Sequence, residues 1–240
     1  MIKLIKDNYD DIYDFCLNDL YSVRIKSLLL AYGTKYDFAA FYCQYINNEI
    51  TAIISKLDGD YTISALDNSD VSEIEEFLSA LGFSSVLCDS KLHFNFDFTE
   101  GIVMSGLKKP EIFSQSAVIN EYPRLMDLFN FADYDKSDFE SWYVDISHRI
   151  RHGCAKAYTL CINDEIISSA VYSSIYNNDA VLSAVKTEPS YRRMGYASSL
   201  ISYMHCDIKG TVFLMRDVNR NEDFYKKLGF ENSGKWRLYK

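Results

Sequence analysis

Short blocks of alternating apolar and polar residues, separated by Asn- and Asp-rich turns, dominate the hydrophobic pattern of the chain. Such alternation marks half-buried strands, and a two-residue Asn/Asp turn between two blocks marks a hairpin. One plan is written twice. Ile46-Asn47-Asn48-Glu49-Ile50 and Ile162-Asn163-Asp164-Glu165-Ile166 each predict a hairpin turn. In the first half there follow a strand over 51–56, a turn at Asp58-Gly59-Asp60, a strand over 61–66, a helix over 71–81 and a short strand over 85–88. In the second half the same order gives 167–174, a turn at Asn177-Asn178-Asp179, a strand over 180–187, a helix from 196 to about 206 and a strand over 211–215. Repetition of a supersecondary plan predicts two tandem halves of an α/β (α+β) fold, each a mixed, mostly antiparallel sheet flanked by helices. The division is set at 1–105 and 106–240, with the linker near 101–116 (Gly106, Lys108, Lys109, Pro110). Helices are predicted over 117–130, broken near Pro123, and over 137–151. Ser137-Asp138-Phe139-Glu140 reads as the capping box of the latter, with Phe139, Tyr143 and Ile146 on one face.

The junction between the strand ending at Thr187 and the helix starting near Tyr196 carries the most chemistry. Pro189 stops the strand because it cannot donate to a ladder. Arg192 and Arg193 bring positive charge, with Met194 beside them, and Gly195 lets an anion approach the backbone with no side chain in the way. Tyr196 opens the helix, and the small residues Ala197 and Ser198 keep its first turn accessible, so free N–H groups and the positive end of the helix dipole face one point. Such a point binds phosphate. No Gly-Lys-Ser/Thr follows, which excludes a Walker loop, and the three-glycine dinucleotide fingerprint is missing. The plain structural alternative is a surface helix start with two solvated arginines.

Arg192-x-x-Gly195-x-Ala197, placed after Val185-x-Thr187-x-Pro189, resembles the acetyl-CoA loop of the GNAT acetyltransferase superfamily, which reads Gln/Arg-x-x-Gly-x-Gly/Ala. About thirty residues on, Asn219 precedes Phe224-Tyr225-Lys226-Lys227-Leu228-Gly229-Phe230, similar to the family's second hallmark. Here Asn219 stands six residues before Tyr225 rather than the usual seven, and Asn221 is its alternative. The resemblance implies acetyl-CoA as cosubstrate and transfer of acetyl to a primary amine of a small molecule or peptide, by direct attack in a ternary complex. It assigns the pyrophosphate to Arg192, Arg193, Met194, Gly195, Tyr196, Ala197 and Ser198, and the thioester to the backbone of Val185, Lys186 and Thr187. Asn219 and Tyr225 complete the cofactor site, and Tyr225 is the acid that meets the departing thiolate. On pattern alone Tyr225 also reads as an amphipathic surface tyrosine, one of nineteen. Glu188 is the nearest carboxylate to serve as base. The alternatives are a solvated loop carboxylate at Glu188, the weaker choices Asp145 and Glu165, or a water chain. His148 and Arg151 either complement a helix C-terminus or touch the acceptor.

The first half departs at the same position. It has Asp67-Asn68-Ser69-Asp70-Val71-Ser72-Glu73, where Asp70 and Glu73 form a capping-box pattern. Carboxylates there would occupy the helix N–H groups and repel a diphosphate. The first half is therefore expected not to bind CoA, and instead to brace the second half and wall one side of the acceptor pocket.

Composition narrows the classes further. Nearly half of the residues are apolar, so a packed core is expected. The net charge of -9 argues against nucleic-acid or anionic-membrane partners. Between 186 and 227, however, Lys186, Arg192, Arg193, Lys209, Arg216, Arg220, Lys226 and Lys227 outnumber the acids. The six cysteines form no Cys-x-x-Cys pair and read as free thiols, and no histidine pair has ligand spacing, so no metal is expected. The start turns polar too soon for a signal peptide and no apolar run reaches the roughly twenty residues of a bilayer span, which suggests a soluble, cytoplasmic protein. A non-catalytic acyl-CoA-binding or regulatory module, or a structural protein, are the competing functions.

Overall fold

The structure, a computed structural model, describes residues 1–7, 9–106 and 117–240. The chain forms two compact units. One comprises Met1–Met104, Met215–Arg220 and Asn232–Lys240; the other comprises Ser105–Leu214 and Asn221–Glu231.

The first unit runs β1 (Ile2–Ile5), α1 (Asp10–Tyr13), α2 (Leu20–Tyr32), β2 (Ala39–Ile46), β3 (Glu49–Leu57), β4 (Asp60–Ala65), α3 (Val71–Leu81), β5 (Ser85–Asp89) and β6 (Phe98–Gly106). The chain's last strand, β12 (Phe230–Tyr239), joins it, giving the order β1-β2-β3-β4-β5-β12-β6. The β2–β3 hairpin turns on Asn47 and Asn48, both with positive φ (52° and 66°). Two left-handed residues match the twist of the flanking strands, and Asn tolerates that conformation. β4 and β5 are parallel, from Asp60↔Ser85 to Ile63↔Cys88, with α3 as the crossover. Ile54, Ile63, Ile74, Leu78, Val86 and Tyr239 are fully buried in the resulting core. Tyr239 donates to the Leu92 carbonyl (2.7 Å) and accepts from the Phe94 N–H (3.2 Å). Its strand pairs with β5 through Arg237↔Cys88 and Leu238↔Leu87.

The second unit repeats the plan: β7 (Val118–Asn120), α4 (Leu125–Ala132), α5 (Phe139–Arg151), β8 (Lys156–Ile162), β9 (Glu165–Tyr176), β10 (Asp179–Thr187), α6 (Tyr196–His205), β11 (Val212–Arg216) and α7 (Glu222–Lys227). Its strand order is β11-β10-β9-β8-β7. Asn163-Asp164 and Asn177-Asn178 again turn with positive φ at both positions. The α/β architecture in two similar halves, each mostly antiparallel, is as the pattern predicts.

Several local readings are corrected. The helix predicted over 117–130 is instead β7, which pairs Val118↔Cys161 to Asn120↔Thr159, followed by α4. Pro123 disfavours the helical region for the residue before it, so no helix runs through, and Val118 and Ile119 find a ladder. The helix predicted from 137 begins at Phe139 and has no side-chain cap. Asp135, rather than Ser137, caps the short 3-10 turn Lys136–Asp138 by accepting from the Ser137 N–H (3.0 Å). At α3, Asp70 does accept from the Glu73 N–H (3.0 Å), but the reciprocal bond comes from elsewhere. Gln44 Oε1 accepts from the Asp70 N–H (3.0 Å), and Glu73 receives Gln44 Nε2 (2.8 Å) and the Ile2 N–H (2.9 Å). The start of α3 is thereby filled by the unit's own side chains. Of the linker reading, 101–106 lies in β6 and 107–116 lies outside the described residues.

Candidate functional site

The second unit builds its site at the C-terminal end of β10. The parallel ladder between β10 and β11 runs only from Ala180↔Val212 to Leu182↔Leu214. On the other side, pairing with β9 shifts between Ser183 and Lys186, and Ala184 takes a positive φ of 50°. A non-glycine residue in that region is strained by about 1–3 kcal/mol and persists only where its surroundings hold it. The serines of β9 do so. Ser169 Oγ donates to the Ala184 carbonyl (3.1 Å) and Ser168 Oγ to the Lys186 carbonyl (3.0 Å). The bulge re-aims the backbone of Val185, Lys186 and Thr187 at the strand's open end.

Beyond Thr187 the chain makes a 3-10 turn, Pro189–Tyr191, and Arg192 Nε donates back to the Thr187 carbonyl (3.1 Å). Arg193 (φ 63°) and Gly195 (φ 85°, ψ -2°) are both left-handed. Gly195 is the N-cap of α6 and no side chain caps that helix. Its first helical bond is Ser199 N–H to the Gly195 carbonyl (2.9 Å). The N–H groups of Tyr196, Ala197 and Ser198 therefore lie ahead of the helical ladder, and a left-handed residue leading into a right-handed turn makes a concave nest of N–H donors. Arg192, Arg193 and Met194 are exposed around it, and the rings of Tyr191 and Tyr196 meet edge to face at 5.9 Å. The contrast with α3, whose start is capped by Asp70, is direct.

The far end of α6 is pinned. Lys156 Nζ bridges Asp207 (2.5 Å) and Glu121 (3.1 Å), Tyr158 donates to Asp207 (2.6 Å) and Tyr203 to Glu121 (2.5 Å). Burial opposes the Lys156 charge, yet the hydrogen bonds to Asp207, Tyr158 and Glu121 hold its pKa above that of an ordinary lysine. The same contacts hold the Asp207 carboxyl low, Lys156 first and Tyr158 second. A cation at that helix end also complements its dipole.

Tyr225, on α7, is 8% exposed, and its ring packs on Phe224 (5.0 Å) and Phe230 (5.8 Å). It is thus a buried rather than a surface tyrosine. Desolvation pushes its pKa up to about 12, and among the described residues neither a hydrogen bond nor a charge contributes to that shift. Asn219 is exposed in the 215–220 segment of the first unit, and Asn221 is the left-handed N-cap of α7 (φ 57°) without a side-chain cap bond. Glu188 sits at the strand-to-loop junction, its N–H donating to the Ile167 carbonyl (2.9 Å). Asp145 is held by Arg149 Nε (2.8 Å), and Glu165 is exposed at a hairpin turn. At the end of α5, Arg151 Nε donates to the Ser147 carbonyl (3.2 Å) and the His148 carbonyl accepts from the His152 N–H (3.2 Å), arrangements that serve the helix terminus.

Two residues that the pattern did not single out stand beside Lys186. Its ammonium lies 5.6 Å from the centre of the Phe131 ring and 3.7 Å from Asp133 Oδ2. No periodicity marks them, because Phe131 reads as one more apolar position of α4 and Asp133 as a loop residue.

Among the described residues no group of three His, Cys, Asp or Glu side chains could hold a metal ion, and no helix is long and apolar enough to cross a membrane. Cys43, Cys88 and Cys154 are buried, and among the described residues no cysteine is joined in a disulfide.

Residues 154–232 match the family model described as the Acetyltransferase (GNAT) domain. No curated protein sequence matches the chain. Among solved structures, a Drosophila protein superposes with a TM-score of 0.66 at 14% identity, over 100% of this chain and 98% of that one. A tandem GNAT protein from the clavulanic acid biosynthesis pathway gives 0.59 at 8% identity, over 100% and 97%. A GCN5-related N-acetyltransferase from Kribbella flavida gives 0.56 at 13% identity, over 79% and 86%. At these identities the superpositions speak for the fold alone. The bulged strand, the glycine-led nest and the uncapped helix all fall within the segment that matches the GNAT domain model, and the chain as a whole has the fold of a tandem GNAT protein.

Proposed function

We propose that the second unit transfers an acetyl group from acetyl-CoA to a primary amine, and that the first unit binds no CoA. The observation that carries this reading is the start of α6: left-handed Gly195, no side-chain cap and three N–H groups ahead of the ladder, at the end of a strand that has lost its β11 partner. Such a helix start offers a diphosphate fixed donors and a favourable dipole. In the first unit, Asp70, Gln44 and Glu73 fill the corresponding position.

In this reading Arg192, Arg193, Met194, Gly195, Tyr196, Ala197 and Ser198 surround the diphosphate. The backbone N–H groups of Val185, Lys186 and Thr187 polarise the thioester oxygen. The acceptor ammonium first gives up a proton to Glu188, directly or through water. The neutral nitrogen then attacks the carbonyl carbon; a C–N bond forms and the C–S bond breaks. The Tyr225 hydroxyl faces the sulfur as charge gathers on it. The balance is R-NH3+ plus acetyl-S-CoA giving R-NH-acetyl, CoA-SH and one proton.

Calorimetry with acetyl-CoA, followed by thiol release across an amine panel, tests the reading. One equivalent of acetyl-CoA per chain and amine-dependent thiol release are expected. Gly195→Glu should weaken binding by at least about tenfold, since each hydrogen bond to a charged group is worth about 1.5–3 kcal/mol. Undiminished affinity in that variant would remove the nest from the binding site. Binding without turnover across the panel would make the unit an acyl-CoA-binding module instead.

A further inference from the structure

The serines of β9 decide where two peptide N–H groups of β10 point. β9 carries Ser168, Ser169, Ser173 and Ser174, and the first two are fully buried. A buried hydroxyl costs stability unless it is hydrogen-bonded. Three of these hydroxyls are bonded to β10 where its register breaks. Ser173 Oγ donates to the Val181 carbonyl (3.4 Å) at the shift between Val181 and Leu182. Ser169 and Ser168 take the Ala184 and Lys186 carbonyls (3.1 and 3.0 Å) at the shift between Ser183 and Lys186. Thr187 Oγ1 stands 3.0 Å from Ser168 Oγ, and since the Ser168 proton goes to Lys186, Thr187 is the donor of that pair. In a planar trans peptide the C=O and the N–H point in opposite directions. Ser169 draws the Ala184 carbonyl toward β9, so the Val185 N–H points away from β9. Ser168 does the same for the Lys186 carbonyl and the Thr187 N–H. The Glu188 N–H agrees with this, since it donates to Ile167 of β9 (2.9 Å) and adjacent amides of a strand face opposite sides. By the same alternation the Lys186 N–H faces β9. Among the described residues Val185 has no partner in either ladder, and the ladder to β11 ends at Leu182.

We propose that Ser169 is a positioning residue for acetyl transfer: by holding the Ala184 carbonyl it aims the Val185 N–H at the thioester oxygen, while Ser168 aims the Thr187 N–H at an amide oxygen of the pantetheine arm. This rests on the acetyl-transfer reading above and narrows its three thioester amides to one. Two N–H groups two residues apart on a strand are separated by about 6.5 Å, too far to share one oxygen. The carrier runs from the nest at Gly195 back along β10, so Thr187 meets its arm and Val185, deeper, meets the thioester. Neither serine touches the thioester or the amine, and the balance of the transfer is the one already given.

The test compares Ser169→Ala, Ser168→Ala and Ser173→Ala in the full chain. Ser169→Ala should lower the kcat of thiol release by about 10- to 100-fold, the loss expected when one donor to a developing oxyanion is misaimed, with little change in the KM for acetyl-CoA. Infrared spectra of bound acetyl-CoA, isotope-labelled at the acetyl carbonyl, need no acceptor amine. In Ser169→Ala the carbonyl stretch should move to higher frequency, because the hydrogen bond that weakens the C=O is lost. Ser168→Ala should show the opposite split, with affinity for acetyl-CoA and for CoA lower by about threefold to tenfold and kcat unchanged, the size of one neutral hydrogen bond. Ser173→Ala removes the same kind of bond between the same two strands, away from the thioester, and should leave kcat and the carbonyl stretch as they are. An unmoved stretch in Ser169→Ala, or an equal loss of kcat in Ser173→Ala, overturns the inference and leaves the transferase reading standing. If Ser169→Ala does not fold, Ser168→Ala decides: a fall in kcat at unchanged affinity overturns the inference. Failure of the wild type to bind acetyl-CoA in calorimetry removes the transferase reading and the inference together.

Discussion

Replacing Tyr225 by Phe separates chemistry from packing with a single oxygen atom. The ring is what the core uses: it is buried and meets Phe224 and Phe230. The hydroxyl has no hydrogen-bond partner among the described residues, and desolvation alone holds its pKa near about 12. A thiol ionises near about 8.5, so handing the phenol proton completely to a thiolate would be uphill by roughly 5 kcal/mol. Tyr225 is then better placed to donate a strong hydrogen bond to the sulfur than to part with its proton. A hydrogen bond to a charged group contributes about 1.5–3 kcal/mol, which predicts a kcat lower by about 10- to 150-fold in Tyr225→Phe. Acetyl-CoA affinity should not change, because the thioester sulfur carries no charge in the ground state. The melting temperature should hold or rise, because the variant buries one polar atom fewer. Steady-state thiol release, calorimetry and a thermal melt read the three quantities. Unchanged kcat would refute the role of the hydroxyl. A large fall in melting temperature would show that the oxygen is structural.

Tyr239→Ala, in the last strand, should destabilise the first unit by about 3–5 kcal/mol, since a fully buried ring and two hydrogen bonds disappear; urea denaturation monitored in that unit measures it, and a loss under 1 kcal/mol would contradict the packing. Alkaline pH should weaken the fold above pH 10. Unfolded tyrosines release their protons near about 10, whereas burial holds Tyr225 and Tyr61 protonated to about 12. The unfolded state binds fewer protons across that window, so stability falls as pH rises; Tyr225 alone withdraws about 2–3 kcal/mol. Calorimetric melts at pH 9, 10 and 11 should show the decline, and a flat profile would refute it.

The sequence by itself determined the repeated plan. Paired Asn and Asp residues with positive φ fix the hairpins at 47–48, 163–164 and 177–178, and the helix read over 71–81 is α3 as it stands. Turn chemistry and side-chain period act over a few residues, so they are written locally. The loop at Arg192 and Gly195 was legible for the same reason: one glycine after a strand and before small helical residues is a short-range statement. Tertiary structure decided what depends on distant partners. Whether residues 118–120 become helix or strand is settled by the ladder that β8 offers. Gln44 completes the cap of α3 from 26 residues away. The chain's last strand pairs with β5 although nothing in its own alternation names that neighbour. Phe131, Asp133 and Lys186 come together only because α4 lies across β10. A period of two or 3.6 residues states which face is buried, and it carries no information about what buries it.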